Sequence, residues 1–156
     1  MIPYADSNFF IRIYLDLPET PRALALLNEG WHNATPALPL TWLHRLEIIN
    51  ALQLHVFGGR VHGQPTVIPE QAATAQAKLR EDLQRSDLLH SASLSPDLLQ
   101  TTFEDLSLRH TARHGFRTYD VIHVASALLL ECDTFWSFDA RASRLAALEG
   151  LKTIRK

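Results

Sequence analysis

The sequence has only one cysteine, Cys132, among its 156 residues. An internal disulfide is therefore impossible, and a cysteine-rich zinc site is excluded. So little cysteine is typical of proteins from a reducing compartment. The length suits one compact domain, residues 1–156, which can bury a core without disulfide or metal support.

Long hydrophobic runs are also missing. The longest one, Val124 to Leu130, is interrupted by Ser126 and is far shorter than the ~20 residues of a membrane-spanning helix. The first residues, Met1 to Asp6, lack the basic start and the apolar stretch of a signal peptide. These absences lead us to expect a cytoplasmic protein.

A strong excess of one charge is absent too. The formal net charge is −2, so the chain does not have the basic character of a general nucleic-acid binder. Basic residues nevertheless cluster in the last third of the chain. Their clustering predicts local contacts with an anionic partner, from Arg113, Arg117, Arg141 and Arg144.

Short predicted strands alternate with helices along the chain. Strands are predicted at 2–5, within 34–40, near 88–93, at 134–138 and at 151–154. Thr41 is predicted to cap a long helix that Gly58 and Gly59 end at about Phe57. The alternation predicts an α/β fold in which helices surround a central, mostly parallel sheet of short strands.

Other helix boundaries follow from capping residues and glycines. Gly30 is expected to end the helix that begins near Thr20. The remaining predicted boundaries are Ser95 and Gly115 for one helix, Thr118 for the next, and Asp139 and Gly150 for the last.

Four acidic residues occupy positions that suit a ligand site. Asp6 follows the first predicted strand and Asp139 follows the strand at 134–138. Ligands of open α/β sheets bind beyond the carboxyl ends of the strands, where helix N-termini such as the one holding Asp120 also point. Glu47 lies among apolar helix residues, where an unpaired carboxylate is costly.

Converging carboxylates predict a divalent metal ion. Mg²⁺ or Mn²⁺ relieves the repulsion between carboxylates, and such an ion can polarise a phosphate oxygen and activate water. Each acid alone also has a structural interpretation. Asp139 would serve as a helix cap, Asp120 as a favourable charge at a helix N-terminus, Asp6 as a turn residue and Glu47 as part of a half-exposed face.

The order of these motifs resembles that of the PIN-domain nucleases, especially the VapC-type toxins of bacterial toxin–antitoxin pairs. The similar segments are Tyr4–Asn8, Glu47–Leu52, Tyr119–Ala127 and Phe135–Asp139, which together span essentially the whole chain. The resemblance implies an endoribonuclease that uses Mg²⁺ or Mn²⁺. It implies that the catalytic and metal-binding residues are Asp6, Glu47, Asp120 and Asp139.

The resemblance also implies supporting residues and partners. Asn8 and Ser137 would support the metal or the attacking water, although Thr is more usual than Ser at the second position. RNA would be the substrate, with the four arginines named above as its contacts. An antitoxin protein and a second copy of the chain would be the protein partners.

Two other functions compete with this interpretation. A haloacid-dehalogenase-like phosphatase also begins with Asp after a first strand, but it needs a second Asp two residues later, where this chain has Asn8. A non-catalytic binding module on the same fold predicts the loss of an acid, whereas all four are present. A zinc site at His110 and His114 lacks the intervening Glu of metalloprotease helices, and His123 is interpreted as a packed, hydrogen-bonded side chain.

Overall fold

The structure is a computed structural model, and it describes residues 1–32, 36–62 and 67–154. The described residues form seven helices and five strands, and the predicted α/β class is confirmed. The helices are α1 (Ser7–Tyr14), α2 (Thr20–His32), α3 (Trp42–His62), α4 (Pro69–Arg85), α5 (Pro96–His114), α6 (Thr118–Leu129) and α7 (Ala140–Leu148). The strands are β1 (Pro3–Ala5), β2 (Leu38–Leu40), β3 (Leu89–Ser91), β4 (Thr134–Trp136) and β5 (Lys152–Thr153).

The backbone divides into two compact units. The first unit contains Met1–Asp6 and the chain from Ser93 onward, and the second contains Ser7–Ala92. A single PIN-like domain over residues 1–156 stays a prediction.

The first unit is built on a parallel sheet with the strand order β1-β4-β5. Tyr4 pairs with Phe135, and Ala5 pairs with Trp136, so β1 and β4 end side by side. Helices α5, α6 and α7 supply the rest of the core. Among the buried apolar side chains of that core are Leu106, Val121, Val124, Phe135 and Leu145.

The second unit has its own parallel pair of strands, β2 and β3. The predicted sheet is thus divided, because β2 and β3 hydrogen-bond to each other and not to β1, β4 or β5. Helices α1 to α4 belong to this unit, and its buried apolar side chains include Phe9, Phe10, Leu40, Ile48 and Leu52.

Several predicted helix ends are confirmed. The Ser95 hydroxyl accepts a hydrogen bond from the Leu98 N–H at the start of α5. Asp139 does the same for the Arg141 N–H at the start of α7. Gly115 and Gly150 follow α5 and α7 with φ angles of +69° and +84°, which L-residues with a side chain rarely adopt.

Three predicted helix boundaries are wrong. Helix α3 continues through Gly58 and Gly59 to His62, and α2 continues through Gly30 to His32. Glycine lowers helix propensity by only about 1 kcal/mol, which packing elsewhere on the helix offsets. Arg117, not Thr118, occupies the N-cap position of α6, and the Asp120 carboxylate accepts a hydrogen bond from the Arg117 N–H there.

Two further predictions concern segments only partly described. Residues 34 and 35 of the segment 34–40, within which a strand is predicted, lie outside the described residues. The glycines and the proline between Gly58 and Pro65 also predict a loop, and residues 63–65 of it lie outside the described residues. No helix in the described ranges is long and apolar enough to cross a membrane.

Candidate active site

Asp6 and Ser137 lie side by side just beyond the ends of β1 and β4. The Asp6 N–H donates to the carbonyl of Trp136 at 3.1 Å, which extends the pairing of the two strands by one residue. The Ser137 hydroxyl then donates to Oδ2 of Asp6 at 2.5 Å. Both side chains are buried, with 4% exposure each. The parallel register therefore places a buried carboxylate at the carboxyl end of the sheet.

Asp139 is linked to Asp6 through hydrogen bonds of Ser137. Its N–H donates to the Ser137 hydroxyl oxygen at 2.9 Å, and its carboxylate caps α7 by accepting from Arg141. Ser137 is thus a donor to Asp6 and an acceptor for Asp139. The structure brings Asp6, Ser137 and Asp139 together at the carboxyl ends of β1 and β4.

Helix α6 contacts β1 through a buried hydrogen bond. The hydroxyl of Tyr4 lies 2.8 Å from Nδ1 of His123, and both side chains are buried. Tyr4 also stacks on Phe135, with 11° between the ring planes. His123 is therefore a packed, hydrogen-bonded side chain, as the sequence predicts.

This contact fixes the side of the sheet on which Asp120 lies. Asp120 is about one helical turn before His123, and Asp6 is two residues after Tyr4, just beyond the end of β1. The N–H of Asp133, in the segment after α6, donates a hydrogen bond of 3.0 Å to the carbonyl of Ile2, the residue before β1. The end of α6 therefore lies near the start of β1, and α6 runs opposite to the strands. The first turn of α6 therefore points toward the carboxyl end of β1, where Asp6 lies.

Glu47 has its contacts in the second unit. It lies on α3 and is half-buried, and the Ser7 hydroxyl donates a very short hydrogen bond to its Oε2. Ser7 follows Asp6 directly in the chain.

The side chains of the candidate site residues offer oxygen atoms, which are the ligands that hard divalent cations prefer. Within the described ranges, no three His, Cys, Asp or Glu side chains stand together in an arrangement able to hold a metal ion. One buried oxygen nevertheless has no hydrogen-bond partner among the described residues, namely Oδ1 of Asn8. Asn8 follows Asp6 by two positions. The carboxylate and amide oxygens present fit a Mg²⁺ or Mn²⁺ ion in their chemistry, because both ions prefer oxygen ligands.

Sequence reasoning missed two polar residues near the candidates. Ser7 stands between Asp6 and Asn8, and its hydroxyl beside those two residues was the available signal. Fully buried His44 accepts the Thr41 N–H at 3.0 Å and thereby closes the first turn of α3. No sequence pattern distinguishes His44 from an exposed histidine.

The second unit also contains a cavity of about 580 Å³ between α1 and α4. The lining residues are Ile13, Tyr14, Leu15, Asp16, Leu17, Pro18, Val67, Glu70, Gln71, Thr74, Ala75 and Lys78. Beside it, buried Asp82 accepts hydrogen bonds from Tyr14 at 3.0 Å and Lys78 at 2.9 Å. Burial, followed by the charge of Asp82, raises the pKa of Tyr14 well above its ordinary value.

The four arginines predicted to contact RNA lie at helix ends or in α7. Arg113 is in the last turn of α5, Arg117 is at the N-cap position of α6, and Arg141 and Arg144 are in α7. Arg113, Arg117 and Arg144 are exposed, and Arg141 is half-buried. No ion pair joins any of these side chains to another described residue. Burial, and then the charges of Arg144 and Arg113, lower the pKa of His114 below its ordinary value, so positive charge gathers around this residue.

His110 is engaged elsewhere. Its Nε2 lies 2.6 Å from Glu149, which also receives two hydrogen bonds from Arg109. Cys132 is buried, and this burial raises the pKa of its thiol to about 11. Neither residue has contacts that would support catalysis.

The arrangement of the elements is shared with two solved structures. The toxin VapC20 of Mycobacterium tuberculosis, described as cleaving the sarcin-ricin loop, is 15% identical, with a TM-score of 0.61 over 99% of both chains. The chain has the PIN-domain fold. FitAcB from Neisseria gonorrhoeae matches this PIN-like chain with 13% identity and a TM-score of 0.58, over 99% of this chain and 97% of the other. No protein-family profile and no curated protein sequence matches the chain.

Proposed function

We propose that this chain is a Mg²⁺- or Mn²⁺-dependent endoribonuclease that acts as the toxin of a toxin–antitoxin pair. One observation carries the proposal: Asp6, Ser137 and Asp139 are hydrogen-bonded together where two parallel strands end. Support comes from the fold, which is also that of a toxin that cleaves the sarcin-ricin loop. The reaction is hydrolysis of a phosphodiester bond in RNA.

In the proposed site the metal ligands are Asp6, Glu47, Asp120 and Asp139. When bound, a divalent cation supplies a positive charge that polarises a phosphate oxygen and lowers the pKa of a water molecule. Ser137 holds the Asp6 carboxylate in one orientation through its hydroxyl. Ser7 does the same for Glu47, and the partnerless amide oxygen of Asn8 is placed to accept a hydrogen bond from water.

The chain binds RNA through few cationic side chains in this proposal. Arg117 and Arg141 flank Asp120 and Asp139, since their own backbone N–H groups donate to these two carboxylates. Both guanidinium groups lack an ion-pair partner among the described residues and remain available for phosphate. Arg113 and Arg144 extend this positive charge around His114.

The protein partner in this proposal is an antitoxin that lays an apolar segment on the helices and brings a basic side chain. The likeness of the fold to FitAcB supports a partner of this kind. The cavity between α1 and α4 has walls that suit such a segment, from Ile13, Leu15 and Val67. Asp16 and Glu70 at the same cavity are both exposed and suit a basic residue. We also propose that the toxin is a homodimer.

The experiment is a cleavage assay on single-stranded RNA, paired with a melting measurement. Cleavage is expected with Mg²⁺ or Mn²⁺, to stop in EDTA, and to return when the cation is restored. Mn²⁺ should also raise the melting temperature of the protein without RNA, because an ion that binds only the folded state stabilises it. Undiminished cleavage in EDTA, or a melting temperature that Mn²⁺ leaves unchanged, contradicts the proposal.

A further inference from the structure

Helix α6 exposes one aromatic side chain beside a proposed metal ligand. Its first two residues, Thr118 and Tyr119, are exposed, whereas its other ten residues are buried or half-buried. Tyr119 is 55% exposed, and Asp120, the next residue, is only 8% exposed. The side chain of Asp120 is therefore directed into the protein at a place where the ring of Tyr119 meets solvent.

The ring of Tyr119 has no partner within the fold. Its side chain makes no hydrogen bond, ion pair or ring contact with any residue in the described ranges. Among the described residues of the first unit, it is also the only exposed Phe, Tyr or Trp. Much of the ring is thus accessible to a ligand without any rearrangement of the core.

Cationic side chains lie in the same part of the chain, residues 113–119, called the α5–α6 corner. Arg113 is in the last turn of α5 and Arg117 is at the N-cap position of α6, and both are exposed. Burial, and then the charges of Arg144 and Arg113, lower the pKa of His114, so a cation from α7 lies near this corner too. The exposed ring of Tyr119 therefore stands among cations that no described acid neutralises.

An exposed ring among unpaired cations suits a single-stranded nucleic acid. The cations follow the phosphates, and bases stack on the aromatic side chain. Proteins hold unpaired RNA bases in this way, because the faces of bases within a duplex are already covered. An exposed ring alone would indicate no ligand, since single apolar side chains are common on protein surfaces.

We propose that Tyr119 stacks on an unpaired base of the RNA strand, next to the phosphodiester bond that is cleaved. The Cα atoms of Tyr119 and Asp120 are neighbours in the chain, about 3.8 Å apart. A base held on the ring therefore keeps the adjoining phosphate close to the proposed metal ligand. Stacking accepts any base, so the contact selects unpaired RNA rather than one sequence. This inference rests on the proposed function, because it needs RNA as the substrate.

The first test measures binding of a short single-stranded RNA, with Ca²⁺ in place of the catalytic cation. Tyr119→Ala should raise the dissociation constant roughly 5- to 150-fold, the range expected for the loss of one base–aromatic stack. Tyr119→Leu keeps an apolar side chain without a π face and should lose most of the same affinity. Tyr119→Phe and Tyr119→Trp keep a ring and should rescue binding. Leu108→Ala, at an exposed apolar residue of α5, is the control and should bind like the wild type.

The second test uses RNAs in which one nucleotide at a time lacks its base. The wild type should lose affinity when the missing base is the one on the ring. Tyr119→Ala should lose nothing further at that nucleotide, because both changes remove the same contact. With the base present, all four bases there should bind the wild type within a few-fold of one another, as stacking rather than hydrogen-bond recognition requires.

A melting measurement separates this contact from the metal site. The rise in melting temperature with Mn²⁺ should be the same in every Tyr119 variant, and a variant that lost it would show that Tyr119 acts through the metal. That result, wild-type affinity in Tyr119→Ala, or loss of binding in Tyr119→Phe would each overturn the stacking contact, while cleavage by the wild type would still support the nuclease. A wild-type chain that neither binds nor cleaves RNA would contradict the proposed function and this inference with it.

Discussion

The hydroxyl of Ser137 donates a hydrogen bond of 2.5 Å to Asp6, although the two residues are 131 positions apart in the chain. The contact exists because β1 and β4 are parallel neighbours that end in register. It links the first acidic motif to the last one. In the proposed nuclease it keeps the Asp6 carboxylate in the orientation that binds the cation.

Removal of the Ser137 hydroxyl should weaken the site. Ser137→Ala leaves the buried Asp6 without this donor, and partners of this kind change metal affinity or activity by about 10–100-fold. Ser137→Thr keeps the hydroxyl and should stay near the wild-type value, whereas Ser107→Ala on α5 serves as a control. The measurements are RNA cleavage rate and the Mn²⁺ concentration that gives half of the melting-temperature shift. Equal values for the Ala and Thr variants would rule out this role for Ser137.

Two glycine substitutions should change stability in opposite directions. Gly58→Ala lies within α3 where the added methyl group meets open space, so it should stabilise by roughly 0.5–1 kcal/mol. Gly150→Ala should destabilise by a similar amount or more, because the φ angle there is +84°. Urea unfolding of both variants measures the difference. If Gly58→Ala destabilises the chain, the continuous course of α3 is wrong.

The sequence was informative where a local signal determined the structure. Ser95, Gly115, Asp139 and Gly150 marked helix ends correctly, because capping and left-handed turns depend on neighbouring residues alone. The prediction that Gly58 and Gly59 end α3 was wrong, because buried Leu52 and other packed side chains decide whether the helix continues.

The candidate site also contains contacts that the sequence predicts and contacts that it does not. Asp6 and Asp139 were predicted at one edge of the sheet from their places after strands, and the parallel pairing of β1 with β4 brings the segments that follow these strands together. Ser137 was named only through the family resemblance. The contact of Ser7 with Glu47 could not be predicted from the sequence. It joins two helices across 40 positions in the chain and depends on how these helices pack. The Tyr4–His123 hydrogen bond likewise depends on the docking of α6 against β1.

Glu149 should make stability depend on pH. The hydrogen bonds from Arg109, and then from His110, lower the pKa of this carboxyl below its ordinary value of 4.5. A carboxyl whose pKa is lowered by folding stabilises the protein above its unfolded pKa, and this contribution is lost as the pH falls through the folded pKa. Glu149→Gln should therefore cost about 1 kcal/mol at pH 7 and much less at pH 3.

The check is urea unfolding at both pH values, with Glu104→Gln as the control. Among the described residues, Glu104 accepts a hydrogen bond from the amide of Gln100 alone, so its substitution should have a small effect at either pH. A Glu149→Gln penalty of the same size at pH 3 and pH 7 would show that the charge of Glu149 is not what stabilises the contact.

RNA binding should show a shallow dependence on salt. Four arginines without ion-pair partners among the described residues support about two to four phosphate contacts, each of which contributes a slope of about −0.7 in log K against log salt. Binding of a short RNA is therefore expected to be weak without metal and to strengthen when Ca²⁺ is added. A steep slope that Ca²⁺ leaves unchanged would indicate an extensive basic surface instead.

The most direct test of the account is RNA cleavage by Asp6→Asn in the presence of Mg²⁺. Asp6 is the buried acid at the centre of the candidate site, and the substitution keeps its size while removing its charge. The account predicts that cleavage falls to the level of a control without protein, whereas Asp87→Asn, at an exposed residue outside the site, cleaves like the wild type. Wild-type cleavage by Asp6→Asn would contradict it.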